Sequence, residues 1–248
     1  QQQLPAALEP ERAAVADLDE VVEEADRAAR HREEEDGQRG QRVLRQRGLV
    51  VDLRDNEGGN DCGNRLLARL IQRPLALPDY RRLVRYRRAP DALKPYLDTW
   101  DPSFRDWGDA ARESDRPNFF RLVRKGETED AATIDPAGRR FAGKVAVLVS
   151  ATCSSATFHF ALAIKGTGIA TLVGTTTGGN RRGINGGAYF FLRLRGTGME
   201  VDLPLIGYFP QTPQPDGGIK PDIQFAPTIA DVAEGRDRAM DAARKLVG

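Results

Sequence analysis

The chain has 248 residues, enough to bury a large core as one domain or as a domain with an appendage. Its formal net charge is +1, so no global field argues for nucleic acid or a membrane surface, and no apolar run approaches membrane-spanning length. Two cysteines, Cys62 and Cys153, supply neither a disulfide framework nor metal-ligand spacing, and nothing calls for a cofactor. The first residue is Gln, so a processed or truncated chain is expected and the missing secretory signal leaves the compartment open.

Glu9 to Arg30 reads as an amphipathic helix, because Val15, Leu18, Val22, Ala25 and Ala29 fall three and four apart. Arg30 to Arg47 is almost purely charged and reads as a polar connector, with His31 a surface residue within it. Residues 1–47 are therefore taken as an N-terminal helix and connector, and residues 48–248 as the core. Leu49 to Leu53 predicts a short buried strand, Asp55 to Asn60 a turn with the glycine pair Gly58-Gly59, and Asn64 to Ile71 a helix. Paired glycines open backbone conformations closed to other residues and bring N–H groups close to a ligand. Two readings fit this turn. It is an oxyanion-binding loop, or a tight strand-to-helix turn with Asp52 and Arg54 as a structural ion pair.

From Pro74 to Arg140 regular signals are sparse. Leu83, Val84 and Tyr86 among arginines suit an exposed edge strand or a lid. The stretch Tyr80–Arg88 also interleaves basic and aromatic residues as a nucleic-acid patch does, but the near-zero net charge argues against that partner. A segment this long is more often a functional cover than a core element, so 74–140 is read as a lid-like insertion.

Val145 to Val149 predicts a fully buried strand, Ala156 to Ile164 a buried helix and Ala170 to Gly174 a further strand. This β-α-β unit implies a parallel pair with a right-handed crossover. Between its first strand and helix stand Ser150-Ala151-Thr152-Cys153-Ser154-Ser155. A sharp turn through small residues presents a side chain at the strand's carboxyl end and aims the first helical N–H groups at what it attacks. A serine nucleophile uses this context, although the Gly-x-Ser-x-Gly elbow is absent. The alternative is that Ser154, Ser155 and Thr157 cap a core helix. Cys62 and Cys153 each adjoin one of the two candidate loops. They read as small buried hydrophobes, and a bond between them would require the loops to face each other.

Gly174 to Gly187 lacks the Gly-Lys-Ser/Thr ending of a phosphate loop and leads into no apolar helix. Ala188–Leu194 and Met199–Ile206 flank Arg195-Gly196-Thr197-Gly198 as a hairpin. Gly217 to Ile223 turns into a short strand, and Asp231 to Val247 predicts one closing amphipathic helix.

Four motifs now stand in one order: Leu-Val-Val-Asp-Leu-Arg-Asp-Asn-Glu-Gly-Gly at Leu49–Gly59, Cys-Ser-Ser-Ala-Thr at Cys153–Thr157, Val-Gly-Thr-Thr-Thr-Gly-Gly-Asn at Val173–Asn180 and Gly-Gly-Ile-Lys-Pro-Asp-Ile at Gly217–Ile223. Together they resemble the core of the C-terminal processing (tail-specific) peptidases and their tricorn and retinoid-binding-protein relatives, with the second loop closer to the tricorn-like branch. The resemblance implies an α/β fold of the ClpP/crotonase kind, built of stacked β-α units and here carrying the N-terminal helix and the lid-like insertion. It also implies serine endopeptidase ancestry, a polypeptide substrate and a periplasmic or secreted location. The family's Ser-Ala-Ser-Ala-Ser pattern falls on Cys153–Thr157, which puts Ser155 in the nucleophile's place. The oxyanion hole would use the Ala156 N–H and one from Gly58 or Gly59.

The family's catalytic lysine falls on Asn180, which cannot take a proton, and Arg181 and Arg182 stay protonated. Three explanations stay open: a histidine supplied by an N-terminal part of the protein outside this chain, His159 four residues after Ser155, or a domain that binds peptides or apolar ligands without turnover. Phe158 and Phe160 flank His159 and suggest a packed ring. Lys165 ends the same helix and is expected to meet its last carbonyls. Under the first explanation, residues 1–248 alone would show little turnover.

Overall fold

The computed structural model describes residues 47–60, 63–125 and 132–248, all within the unit Gln46–Gly248. The expected helix Glu9–Arg30, the charged connector, His31 and Cys62 lie outside the described residues. In chain order the elements begin with strand β1 (Gly48–Asp52) and helix α1 (Gly63–Leu70). Short strands follow: β2 (Leu75–Ala76), β3 (Tyr80–Val84), β4 (Leu97–Asp98), β5 (Ala111–Glu113), β6 (Phe120–Leu122) and β7 (Thr133–Ile134). Then come β8 (Lys144–Val149), α2 (Ser155–Ile164), β9 (Thr171–Gly174), β10 (Ile184–Arg193), β11 (Glu200–Pro210), β12 (Ile223–Gln224), α3 (Ile229–Ala233) and α4 (Arg238–Val247).

Four strands form a parallel sheet in the order β1-β8-β9-β12, with Val51 opposite Val147 and Leu148 opposite Val173. Every residue from Val145 to Val149 is buried, as a parallel strand covered on both faces requires. Successive side chains point to opposite faces. Ala146 and Leu148 accordingly pack, with Val173, against Ala239 and Ala243 of α4. The expected β-α-β unit is present, since β8 and β9 pair in parallel around α2. That helix buries Phe158, Phe160, Ala161, Ala163 and Ile164, apolar almost all round as an internal helix is.

The described residues of the stretch 74–140 find partners far away in the chain. Strands β3 to β6 join the β10–β11 hairpin in a six-stranded antiparallel sheet of order β4-β10-β11-β3-β6-β5. Val84, Leu97, Phe104, Trp107 and Leu122 form one core there with Ala188, Phe190 and Ile206. Strand β3 lies between β11 and β6, not at an edge as its arginines suggested. Those arginines are engaged along its flanks. Arg81 pairs with Asp115 at 3.0 Å, Arg87 pairs with Glu113 at 3.0 Å, and Arg85 lies over the Phe119 ring at 4.3 Å. The hairpin itself is as expected, with Arg193 opposite Glu200.

The closing helix is broken in two. Gly235 takes φ +63°, the left-handed conformation that ends helices. The Asp237 side chain then accepts from the Met240 N–H at 3.0 Å and starts α4 afresh. Asp231, read as the start of that helix, is buried inside a capping box with Thr228.

Asp237 also meets the other end of the sheet. The Arg54 guanidinium donates to Asp52 at 2.6 Å and to Asp237 at 2.7 Å, so one cation ties the end of β1 to the start of α4. The ion-pair reading of Asp52 and Arg54 holds, with a third member. Hydrogen bonds from Arg54 hold both carboxyls below the ordinary carboxylate range. Such a group contributes stability above its unfolded pKa and loses it as pH falls through the folded value. The urea midpoint is expected to drop as pH falls below about 4, and Arg54→Met is expected to flatten that slope. At pH 7 the variant is expected to lose no more than about 1 kcal/mol, because these side chains are a quarter or more exposed. An unchanged acid slope in urea titrations of Arg54→Met would remove the clamp from this account.

Candidate active site

Three loops leave the carboxyl ends of β1, β8 and β9, the edge at which open parallel sheets hold ligands. The first two are stitched together by side chains. The Cys153 thiol donates to the Leu53 carbonyl at 3.1 Å, the Ser154 hydroxyl donates to the Glu57 carbonyl at 2.7 Å, and the Thr157 hydroxyl donates to Asn56 Oδ1 at 2.8 Å. Asn56 Oδ1 accepts a second bond, from the Gly58 N–H at 2.9 Å. The third loop is held by Thr177, whose buried hydroxyl accepts from the Ile219 N–H at 2.9 Å. Its Gly179 lies against the Phe158 ring of α2, where an added Cβ would stand 2.9 Å away.

These bonds change the meaning of the serine cluster. Ser154 is the N-cap residue of α2, but its side chain makes no cap bond and instead reaches across to Glu57. Thr157 reaches to Asn56. The capping reading therefore does not describe these hydroxyls; they join two loops. Ser155, the first residue of the helix, has φ +49°, a conformation a non-glycine residue holds only when its surroundings impose it.

Gly58 packs directly against Ser155. A Cβ built on Gly58 would stand 2.6 Å from the Ser155 Cβ, 3.0 Å from the Ser154 carbonyl oxygen and 3.1 Å from the Ala156 nitrogen. The turn after β1 thus lies directly against Ser155 and the first helical amides, which have no intrahelical partner. Gly58 and Gly59 have φ +117° and +128°, so only glycine fits either position without strain. Since the Gly58 amide is spent on Asn56, Gly59 is the member of the pair whose amide the turn can offer.

A cavity of about 1100 Å³ opens beside this junction. Gly58, Gly59, Ala156, Thr157 and His159 line one side, and Tyr80, Arg82, Arg121 and Tyr208 from the antiparallel sheet also line it. His159 is half-buried, with its ring centroid 5.0 Å from that of Tyr80 and 6.0 Å from that of Tyr208. It is packed, as its aromatic neighbours suggested, and it also faces the cavity. Burial pushes the Tyr80 phenol above its ordinary pKa, partly offset by the charge of Arg181.

Asn180 organises a turn. Its Nδ2 donates to Asp216 at 2.7 Å and its Oδ1 accepts from the Arg182 N–H at 2.8 Å. Lys165 does not turn to the helix carbonyls; its ammonium pairs with Asp222. Burial pushes the Asp222 carboxyl up, but Lys165 and the Leu172 N–H, at 2.8 Å, together hold it below the usual range. Cys153 is a free, buried thiol. Among the described residues no cluster of three or more His, Cys, Asp or Glu could hold a metal ion, and no helix is long and apolar enough to cross a membrane.

Sequence reasoning missed Asn56 and the two tyrosines around His159. Asn56 had a local signal, since Asn in a turn accepts from the backbone two residues on. Tyr80 and Tyr208 had none, because only sheet pairing brings Tyr208 opposite Arg82 and next to His159.

The sequence profile of peptidase family S41 matches residues 33–225. The chain belongs to peptidase family S41. The ordered motifs had pointed to the same family, and the mixed α/β fold agrees with it. A CPAF mutant superimposes with a TM-score of 0.51 at 20% identity, over 81% of this chain and 42% of that one. A putative peptidase from Parabacteroides merdae matches at 22% identity and TM-score 0.45, over 81% of this chain and 51% of that one. The photosystem II D1 C-terminal processing protease matches at 21% identity and TM-score 0.38, over 74% and 36%. The S41 chain described here thus spans about half or less of the length of these structures. Among curated proteins no sequence matches it.

The contact between Gly58 and Ser155 is open to a direct test. Gly58→Ala combines backbone strain with a clash and is expected to cost about 2–5 kcal/mol. Gly59→Ala, whose added Cβ meets nothing within 4 Å, is expected to cost only the strain, about 1–3 kcal/mol. Denaturant midpoints in the reverse order would contradict this packing.

Proposed function

We propose that this chain is the core of a serine endopeptidase that cleaves polypeptides by acyl transfer through Ser155. One observation carries the reading: Ser155 stands at φ +49° on the first residue of a helix, pressed against the Gly58-Gly59 turn and beside the cavity. The Ser155 hydroxyl would add to the scissile carbonyl carbon while a base takes its proton. The carbonyl oxygen, now negative, would accept from the Ala156 and Gly59 amides, which the helix start and the glycine turn hold in place before reaction. Collapse would expel the amine, which takes a proton as it leaves, and water would release the acyl group from Ser155. A covering role for the segment 74–140 is supported by Leu77 to Arg82 and Arg121 to Val123, which line the same cavity as Gly58, Gly59 and Ala156.

The base is assigned to a histidine from an N-terminal part of the protein outside this chain. His159 is the second candidate, on the ground that it lines the same cavity as Ala156. Turnover by residues 1–248 alone that is lost in His159→Ala would move the role to His159.

A second reading, a module that binds peptides or apolar ligands without turnover, is favoured by Asn180. At the family's lysine position stands an amide locked into a turn by Asp216 and Arg182. A fluorophosphonate probe separates the two readings, since only an activated serine reacts. Covalent labelling and peptide hydrolysis by the intact protein are expected to vanish in Ser155→Ala. Undiminished hydrolysis in that variant would overturn the acyl-transfer reading, and peptide binding without labelling of the wild type would establish the second.

A further inference from the structure

Asn56 is the side chain on which the chain neighbours of the two proposed oxyanion donors converge, Gly58 beside Gly59 and Thr157 beside Ala156. Its Oδ1 has two lone pairs and both are used. One takes the Gly58 N–H at 2.9 Å, which turns that amide to Asn56. The glycine pair is then left with the Gly59 amide to present. The other takes the Thr157 hydroxyl at 2.8 Å, which anchors the same loop to the first turn of α2, one residue beyond Ala156. Thr157 is only 5% exposed, so its hydroxyl has little water to fall back on when Asn56 is removed. Asn56 itself lines the cavity.

The Ser154 hydroxyl on the Glu57 carbonyl ties the same two segments, but only the Asn56 oxygen both orients an amide of the glycine pair and grips α2 beyond Ala156, so the separation of the Gly59 and Ala156 amides depends in part on it. Donors to a developing oxyanion act within a few tenths of an ångström of 2.9 Å, and a misplacement of about 1 Å costs about 10²-fold in rate. We propose that Asn56 is the positioning residue of the oxyanion hole, setting the distance between its two backbone donors through the Gly58 amide and the Thr157 hydroxyl. This rests on the acyl-transfer reading of Ser155. It assigns Asn56 no contact with the substrate.

The test is the acylation of Ser155 in the intact protein by a fluorophosphonate, with the limiting rate and the half-saturating probe concentration measured separately. Asn56→Ala is expected to lower the limiting rate by about 10²-fold and to leave half-saturation within about twofold, because ground-state contacts to the probe are untouched. Thr157→Val keeps the shape of the side chain and removes one of the two bonds, and is expected to lower the limiting rate by about tenfold. The double variant is expected to be no slower than Asn56→Ala, since both changes act through one oxygen. A wild-type limiting rate in Asn56→Ala overturns the proposal, as does a loss confined to half-saturation. If Asn56→Ala does not fold, Thr157→Val decides, and a wild-type rate there overturns it equally. Labelling that depends on Ser155 but not on Asn56 sinks this inference alone. Labelling that persists in Ser155→Ala sinks the acyl-transfer reading and this one with it.

Discussion

Three hydrogen bonds between the loop after β1 and the start of α2 hold the rest of the candidate site in place: Cys153 to Leu53, Ser154 to Glu57 and Thr157 to Asn56. Each is modest in net free energy, about 1 kcal/mol. Their effect is positional. They bring a glycine turn and a helix start, about a hundred residues apart in sequence, into contact so close that no side chain fits at Gly58. Ser155 stands at a positive φ beside that contact, and a strained serine at a strand-to-helix junction is the feature on which the chemical reading rests.

The scaffold beneath is built so that this junction does not drift. The strand leading to Ser155 is buried from Val145 to Val149 between β1 and β9, and α4 covers one of its faces. Arg54, two residues after β1, is tied at once to Asp52 and to Asp237, the N-cap of α4. Phe158, one turn into α2, is fully buried and receives Gly179 of the third loop against its ring. Burial of such a side chain is worth about 2–3 kcal/mol, more than any one of the inter-loop hydrogen bonds. Apolar packing thus supplies the stability and the hydrogen bonds supply the register.

Further residues that line the cavity come from a different kind of structure. Strands of two to five residues from the segment 74–140 complete a sheet with the β10–β11 hairpin, and their own core of Val84, Phe104, Trp107, Phe190 and Ile206 holds them. Tyr80 and Tyr208 leave that sheet to pack on His159 of α2. A residue of the helix that begins at Ser155 is therefore held partly by the second sheet.

The amino-acid sequence by itself determined the buried strand at Val145, the helix after it, the parallel crossover, the β10–β11 hairpin and the turns that carry Ser155 and the Gly58-Gly59 pair. Those features are written in contiguous apolar runs and in glycine pairs, whose consequences are local. It did not determine the order of 74–140, where Leu83 finds Gly207 and Arg121 as partners and no short-range pattern announces either. Nor did it show that Ser154 and Thr157 bridge loops instead of capping a helix, that Asn56 receives two donors, that Lys165 turns to Asp222, or that Gly235 splits the last helix. Only the tertiary structure decided these, because a hydroxyl, an amide or an ammonium chooses among acceptors by distance, and distance between remote residues exists only once the sheets have formed.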